Sequence, residues 1–191
     1  MTHRDVRVKR LRTRAAVFAL IVVVGLALDR ATKLWALYGL ASGEHIGVVP
    51  NVLSLSLVRN PGASFGLGAG ATCGISILAI VACVAIVVAI CRTSSLHWTL
   101  ALSFAFAGAF GNLIDRAIYA EHFLDGKVID FINYGWSVGN VADIILAIAG
   151  VWFVALVVFE FPFKPANVVS ENKFSSENKS LPAESNKESN K

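Results

Sequence analysis

The sequence predicts a mainly α-helical membrane protein with four transmembrane helices and a small extracytoplasmic β-sheet. Hydrophobic residues make up 55% of the 191 residues and charged residues only 16%, whereas an ordinary soluble domain carries about 25% charged residues. The apolar residues fall into four blocks, each close to the roughly 20 residues that a helix needs to cross the hydrocarbon core. These blocks cover residues 15–28 with a continuation to 41, 72–91, 98–114 and 141–161.

A basic segment, residues 1–14, precedes the first block and holds six Lys and Arg residues. The positive-inside rule therefore places the N-terminus in the cytoplasm, and four spans return the C-terminus to the same side. Residues 37–71 and about 118–139 then form two outward-facing loops. A cleaved signal peptide has the same basic start, but Asp29 and Arg30 follow the apolar run directly. Because only a weak Ala-rich cleavage site is present, we expect a retained helix.

The first outward loop contains a predicted strand and turn. Residues 53–57 alternate Leu with Ser, a two-residue period that indicates a strand with one apolar face. Residues 60–63, Asn-Pro-Gly-Ala, are typical of a type II turn. The pattern G-x-S-x-G around Ser64 also occurs at hydrolase nucleophiles, but that elbow requires a buried sheet for which the chain has no room. We interpret Ser64 as part of the turn, and a rhomboid-like pair with His122 is the alternative.

Composition excludes several other classes. The net charge of +4 follows from the basic N-terminus and does not indicate nucleic acid. The polar tail, residues 162–191, is expected to be disordered because it cannot bury enough apolar surface to order itself.

The cysteines contain no C-x-x-C pair and the histidines form no ligand cluster, so we expect no metal and no cofactor. These residues are Cys73, Cys83, Cys91, His3, His45, His97 and His122.

Ionisable and amide side chains recur near the outward ends of the predicted helices. Each ionisable residue within a span costs about 2.5–3.5 kcal/mol on insertion scales. Asp29 and Lys33 are four residues apart, so they share a helix face and can pair. Asn112, Asp115 and Arg116 share a face near the end of the third span. Ion pairs of Asp29 with Lys33 and of Asp115 with Arg116 would explain these residues structurally.

Two further acids have structural explanations when each is considered alone. Asn140 and Asp143 fit a capping box at the start of the fourth span, and Asp130 would be an ordinary loop acid held at the membrane surface by apolar neighbours. Considered together, the acids at one membrane depth fit a site in which two carboxylates share a proton and activate water. Since helix N-termini favour negative charge, we expect Asp143 to be the ionised partner and Asp130 to hold the proton.

Five motifs occur in order across the four spans. Together they closely resemble the bacterial lipoprotein signal peptidase family, signal peptidase II, over about residues 15–160. The resemblance implies an aspartic endopeptidase of the bacterial cytoplasmic membrane that cuts diacylglyceryl-modified prolipoproteins just before the lipidated cysteine. Its partners would be that substrate and the phospholipid bilayer, without nucleic acid, and we expect a monomer. The motifs are DRATK (29–33), RNPGASFG (59–66), GNLIDR (111–116), VIDF (128–131) and NVAD (140–143).

The resemblance also implies roles for individual residues. The peptidase domain would cover residues 15–161, with a β-cradle at about 44–70 and the active site at the outer face. Asp130 and Asp143 match the family's catalytic aspartates. Residues that match substrate-binding, dyad-orienting or supporting positions are Asn60, Gly62, Asn112, Arg116, Asn140, Asp29, Lys33 and Asp115.

Three departures from the family pattern accompany these matches. Ser64 replaces a usual Ala, which argues against a nucleophile, and Pro61 replaces a common Thr and should stiffen the turn. Gly139 replaces a usual Phe, and the 131–139 link is shorter than in many relatives, so the lid over the site should differ.

A proton-coupled transporter is a different hypothesis, but it requires acids near the midplane. A purely structural membrane protein is a third, disfavoured by the cost of so many polar groups.

Overall fold

The computed structural model describes residues 3–41, 43–62 and 72–164. Four helices within these residues are long and apolar enough to cross a membrane, which confirms the predicted fold class. The elements in chain order are α1 (His3–Gly39), β1 (Ile46–Val49), β2 (Leu53–Asn60), α2 (Thr72–Arg92), α3 (Leu96–Ile118), β3 (Val128–Asn133), β4 (Val138–Gly139) and α4 (Val141–Val158).

Helix α3 lies at the centre of the bundle and packs against the other three helices. Its buried residues are mostly small or hydroxyl-bearing, which lets neighbouring helix backbones approach closely in a membrane. At Gly108 a Cβ atom would lie 2.6 Å from the Ala142 carbonyl oxygen and 2.7 Å from Leu146 Cγ. Any larger residue there would push α4 away from α3, and α4 carries Asp143.

Helix α1 is continuous through the basic segment that was predicted as a separate N-terminal region, since it runs from His3 to Gly39 without a break. Arg14 joins the N-terminal half of α1 to the bundle. The Arg14 guanidinium donates to Thr99 Oγ1 at 3.0 Å and to the Ile90 carbonyl. The helix has no break between residues 14 and 15, where the basic N-terminal segment was expected to end. Of the polar tail, only residues up to 164 are described.

The four strands form one antiparallel sheet in the order β1-β2-β3-β4. The predicted Leu-Ser strand is confirmed as part of β2. The expectation that residues 118–139 form a loop is wrong for their second half, because β3 and β4 supply half of the sheet. The first four residues of β3 are all buried, so this strand lacks the alternation that indicates a strand with one solvated face.

The sheet is fixed to the C-terminal end of α1 by a small apolar core. Phe131 of β3 packs with Ala36 and Leu40 of α1, and Leu55 and Leu57 of β2 cover this cluster. The apolar face predicted from the Leu-Ser alternation thus points into the protein. Because Asp130 precedes Phe131 directly, the same packing fixes Asp130 beside the helix bundle.

Candidate active site

A buried cluster of charges connects α1 to α3. Lys33 Nζ lies 2.9 Å from Asp29 Oδ2 and 2.7 Å from Asp115 Oδ2, and all three side chains are almost completely buried. Arg30 also pairs with Asp115. The predicted Asp29–Lys33 pair is confirmed. The predicted pair of Asp115 with Arg116 is wrong, because adjacent helical residues diverge by about 100° and Asp115 faces α1.

Arg116 instead holds the turn that follows β2. Its guanidinium donates to the Gly62 carbonyl at 2.5 Å, and longer contacts reach the carbonyls of Pro61 and Gly126. The Gly62 N–H donates to Asn60 Oδ1 at 2.9 Å, an Asx-type turn. The predicted type II turn is described only as far as Gly62, and Ser64 lies outside the described residues. Arg116 therefore fixes the backbone next to Asn60.

Asn112 connects the charge cluster to Asp143 by two hydrogen bonds, which fix the orientation of the Asn112 amide. Lys33 Nζ donates to Asn112 Oδ1 at 3.0 Å, and Asn112 Nδ2 donates to Asp143 Oδ1 at 2.8 Å. Since an ammonium group can only donate, Lys33 decides which end of the amide is oxygen. The amide nitrogen must then face Asp143, so the network presents a donor to that carboxylate.

Asp130 is held by two amide donors on the opposite side of the site. Asn60 Nδ2 donates to Asp130 Oδ2 at 2.8 Å, and Asn140 Nδ2 donates to Asp130 Oδ1 at 2.6 Å. Burial raises the pKa of Asp130 to about 6; the negative charge of Asp143 adds to this rise, and the bonds from Asn60 and Asn140 oppose it. Asp130 is therefore a carboxyl group that can hold a proton near neutral pH.

Asn140 brings the two acids together. The predicted capping box is confirmed, because the Asp143 N–H donates to Asn140 Oδ1 and the Asn140 N–H donates to Asp143 Oδ2, both at 3.1 Å. The Asn140 amide also donates to Asp130 and, at 3.1 Å, to Asn112 Oδ1. Asn140 thus caps α4 through Asp143 and at the same time contacts Asp130, so the capping box places the two acids on the same asparagine.

A groove of about 730 Å³ leads from Asp143 along α4. The part of the groove lined by α4 is apolar and ends near Trp152 and Ala155. The part beyond Asp143 is formed by the β3–β4 hairpin with Tyr134 and Trp136. Sequence reasoning missed both aromatic residues because the hairpin was interpreted as a loop. It also missed Arg30 as a partner of Asp115, although Arg30 lies within the first motif.

Within residues 3–41, 43–62 and 72–164, no group of three or more His, Cys, Asp or Glu side chains could hold a metal ion. The three cysteines are free thiols. The side chains that meet at the site are carboxylates, amides and buried cations.

A sequence profile for signal peptidase (SPase) II matches residues 21–159. The chain belongs to the signal peptidase II family. It is 58% identical over 163 residues to the lipoprotein signal peptidase of Bifidobacterium longum strain DJO10A, covering 85% of this chain and 90% of that protein. It is also 34% identical over 156 residues to the lipoprotein signal peptidase of Mycobacterium leprae, covering 81% and 76%.

Two solved structures agree with this assignment. A bacterial membrane enzyme determined by the in meso method at 2.3 Å has a TM-score of 0.68 and 28% identity, covering 79% of this chain and 93% of the other. A second such enzyme, at 1.9 Å, has a TM-score of 0.61 and 30% identity, covering 74% and 92%. As a signal peptidase II, the chain is a membrane-embedded protease.

Gly139 fits the signal peptidase II site for a steric reason. A Cβ atom at this position would lie 2.9 Å from Asp143 Oδ2 and 3.6 Å from Tyr134 Cε2. A side chain there would displace the carboxylate or the hairpin ring. In this signal peptidase II the short hairpin therefore requires a glycine at position 139, because a larger residue would collide with Asp143 or Tyr134.

Proposed function

We propose that this protease removes the signal peptides of lipoproteins and that Asp130 and Asp143 are its catalytic pair. The names of the relatives support the substrate class. The amide network that holds both carboxylates around Asn140 supports the catalytic pair, and it is the observation on which the proposal depends. Asn60, Asn112 and Asn140 orient the pair. The groups that support them are Gly62, Arg116, Asp29, Lys33 and Asp115.

In the proposed mechanism the pair carries one proton between its two members. Asp143, at a helix N-terminus that favours negative charge, is ionised and takes a proton from water as the water oxygen attacks the peptide carbonyl carbon. Asp130 donates its proton to the carbonyl oxygen. The tetrahedral intermediate then collapses with cleavage of the C–N bond. Asp143 returns its proton to the leaving nitrogen, and Asp130 regains one from the intermediate.

The proposed substrate is a prolipoprotein whose cysteine already carries diacylglycerol, with the cut just before that cysteine. The apolar groove beside Asp143 supports a substrate with a lipid or apolar segment in the bilayer. We further propose that the protein is a monomer in the bacterial cytoplasmic membrane, with both termini in the cytoplasm. The basic N-terminus supports this orientation. The site lies at the ends of α1, α3 and α4 that would then face outward.

A cleavage assay on a diacylglyceryl prolipoprotein in detergent tests this proposal. Asp130→Asn and Asp143→Asn should each abolish cleavage while the thermal unfolding transition stays cooperative. Ser64→Ala should retain activity, and chelators should have no effect. Cleavage at the parent rate by either Asp variant would contradict the proposal, and loss of activity in Ser64→Ala alone would favour the rhomboid-like hypothesis.

A further inference from the structure

The β3–β4 hairpin places Tyr134 at the catalytic pair by a rigid local structure. Residues 134–137 connect the strands, and the Tyr134 N–H donates to the Ser137 carbonyl at 2.8 Å. Gly135 has a φ of +85°, a conformation natural to glycine, and its N–H donates to Asn133 Oδ1 at 2.8 Å. The backbone on both sides of the Tyr134 ring is thus fixed by hydrogen bonds.

The Tyr134 ring lies close to Asp143, and Asp130 also acts electrostatically on the Tyr134 hydroxyl. Tyr134 Cε2 and Asp143 Oδ2 are both within 4 Å of the point where Gly139 would carry a Cβ atom. Burial raises the pKa of the Tyr134 hydroxyl, and the negative charges of Asp143 and then Asp130 raise it further. The phenol therefore stays protonated at working pH and is available as a hydrogen-bond donor.

The amide donors of the site bond to acceptors within the protein, whereas the Tyr134 hydroxyl has no such acceptor among the described residues. The amides of Asn60, Asn112 and Asn140 donate to the two carboxylates or to each other. Within the described part of the chain, the Tyr134 hydroxyl makes no hydrogen bond. A half-buried phenol beside two acids normally has a partner, and the groove that it lines leaves room for one on the substrate.

We propose that Tyr134 is a further catalytic residue, whose hydroxyl donates a hydrogen bond to the carbonyl oxygen of the peptide bond being cut. This inference rests on the proposed function. In the ground state the donor would contact a neutral carbonyl, and in the transition state of water attack it would contact an oxygen on which negative charge develops before the proton of Asp130 is transferred. The bond strengthens as that charge develops, so it lowers the barrier more than it improves substrate binding. Asp130 supplies the proton, and Tyr134 supplies the second donor.

The experiment compares the steady-state kinetics of Tyr134→Phe with those of the parent enzyme on a diacylglyceryl prolipoprotein in detergent. Phe keeps the ring that stacks on Trp136, whose centroid lies 6.0 Å away, and removes only the hydroxyl. We expect kcat to fall at least about 10-fold, within the range for loss of an oxyanion donor, while KM stays within about 2-fold. Tyr134→Ala should lower kcat as far and also raise KM.

Tyr38→Phe is the matched control, because Tyr38 is 84% exposed at the outer end of α1 and should lose nothing when its hydroxyl is removed. The pH profile of kcat supplies a readout that a structural role would not give. Direct contact predicts that Tyr134→Phe lowers the whole profile without moving its limbs. A profile whose limbs move, a kcat within 2-fold of the parent, or an effect confined to KM would overturn the inference.

The outcome also separates this inference from the proposed function. If both Asp→Asn variants are inactive and Tyr134→Phe cleaves at the parent rate, only the role of Tyr134 fails. If either Asp variant cleaves at the parent rate, the proposed function fails first.

Discussion

Replacement of Asp130 by Asn should make the protein more stable relative to the parent as the pH rises, although it should abolish cleavage under the proposed function. Burial raises the pKa of Asp130 from 3.8 to about 6, so the folded state holds this proton more tightly than the unfolded state does. Well below pH 4 both states are protonated and burial of the group costs little. Between about pH 4 and pH 6 the unfolded state releases this proton and the folded state keeps it, so the folded protein loses stability as the pH rises, and the loss is complete above pH 6, where the folded protein must bury the charge.

The structure sets the size of this effect. One pKa unit corresponds to about 1.36 kcal/mol, so the parent should lose on the order of 3 kcal/mol between pH 4 and pH 8. Asn does not titrate, so the variant avoids this loss. It has one oxygen where Asp130 offers two acceptors to Asn60 and Asn140, and the unmatched donor costs about 1–3 kcal/mol at every pH. The variant should therefore be the less stable protein at pH 4 and about equal to or above the parent at pH 8.

Thermal unfolding in one detergent at pH 4, 6 and 8 measures this difference. Asp125→Asn serves as a control of opposite sign, because hydrogen bonds from the His122 and Glu121 backbone hold the pKa of the exposed Asp125 below its usual value. Any stability from Asp125 is lost as the pH falls. A difference between Asp130→Asn and the parent that stays constant or shrinks from pH 4 to pH 8 would refute the reasoning.

Three further predictions concern the supports of the site. Asn140→Ala removes the cap of α4 and a donor to Asp130, so the melting temperature should fall by the equivalent of about 1 kcal/mol and kcat by at least about 10-fold in the cleavage assay. Lys33→Met leaves two buried acids without this cation and should cost about 3–5 kcal/mol in unfolding; near-parent stability would contradict that estimate. Gly108→Ala should destabilise by about 1–3 kcal/mol, whereas Gly150→Ala, where a Cβ meets nothing within 4 Å, should not.

The helices and the polar partners could be predicted because their signals are local. Apolar blocks of the right length predict the spans, and the four-residue spacing of Asp29 and Lys33 predicts their pair. Asn140 and Asp143 follow the capping pattern and form the box. In each case the information lies within one helical turn or one continuous segment.

Strands β3 and β4 and the hairpin between them could not be predicted, because their signals are not local. The buried residues of β3 carry no two-residue period, since both faces of the strand are covered. Asp115 pairs with Arg30 and Lys33 rather than with Arg116, and that choice depends on how α3 faces α1. Tyr134 reaches the acids only because β3 and β4 pair in a register that places Gly139 opposite Ile132.

The buried charge cluster, Arg116, Asp130 and Asp143 together form a nearly balanced set of charges. Three cations accompany four aspartates, so the set sums to zero when one aspartate carries a proton. With all four aspartates ionised the set would carry one net negative charge, and with two of them protonated it would carry one net positive charge. A change of one charge at any of these seven side chains, by mutation or by protonation, therefore changes the net charge that the other six must balance. The members are Arg30, Lys33, Arg116, Asp29, Asp115, Asp130 and Asp143.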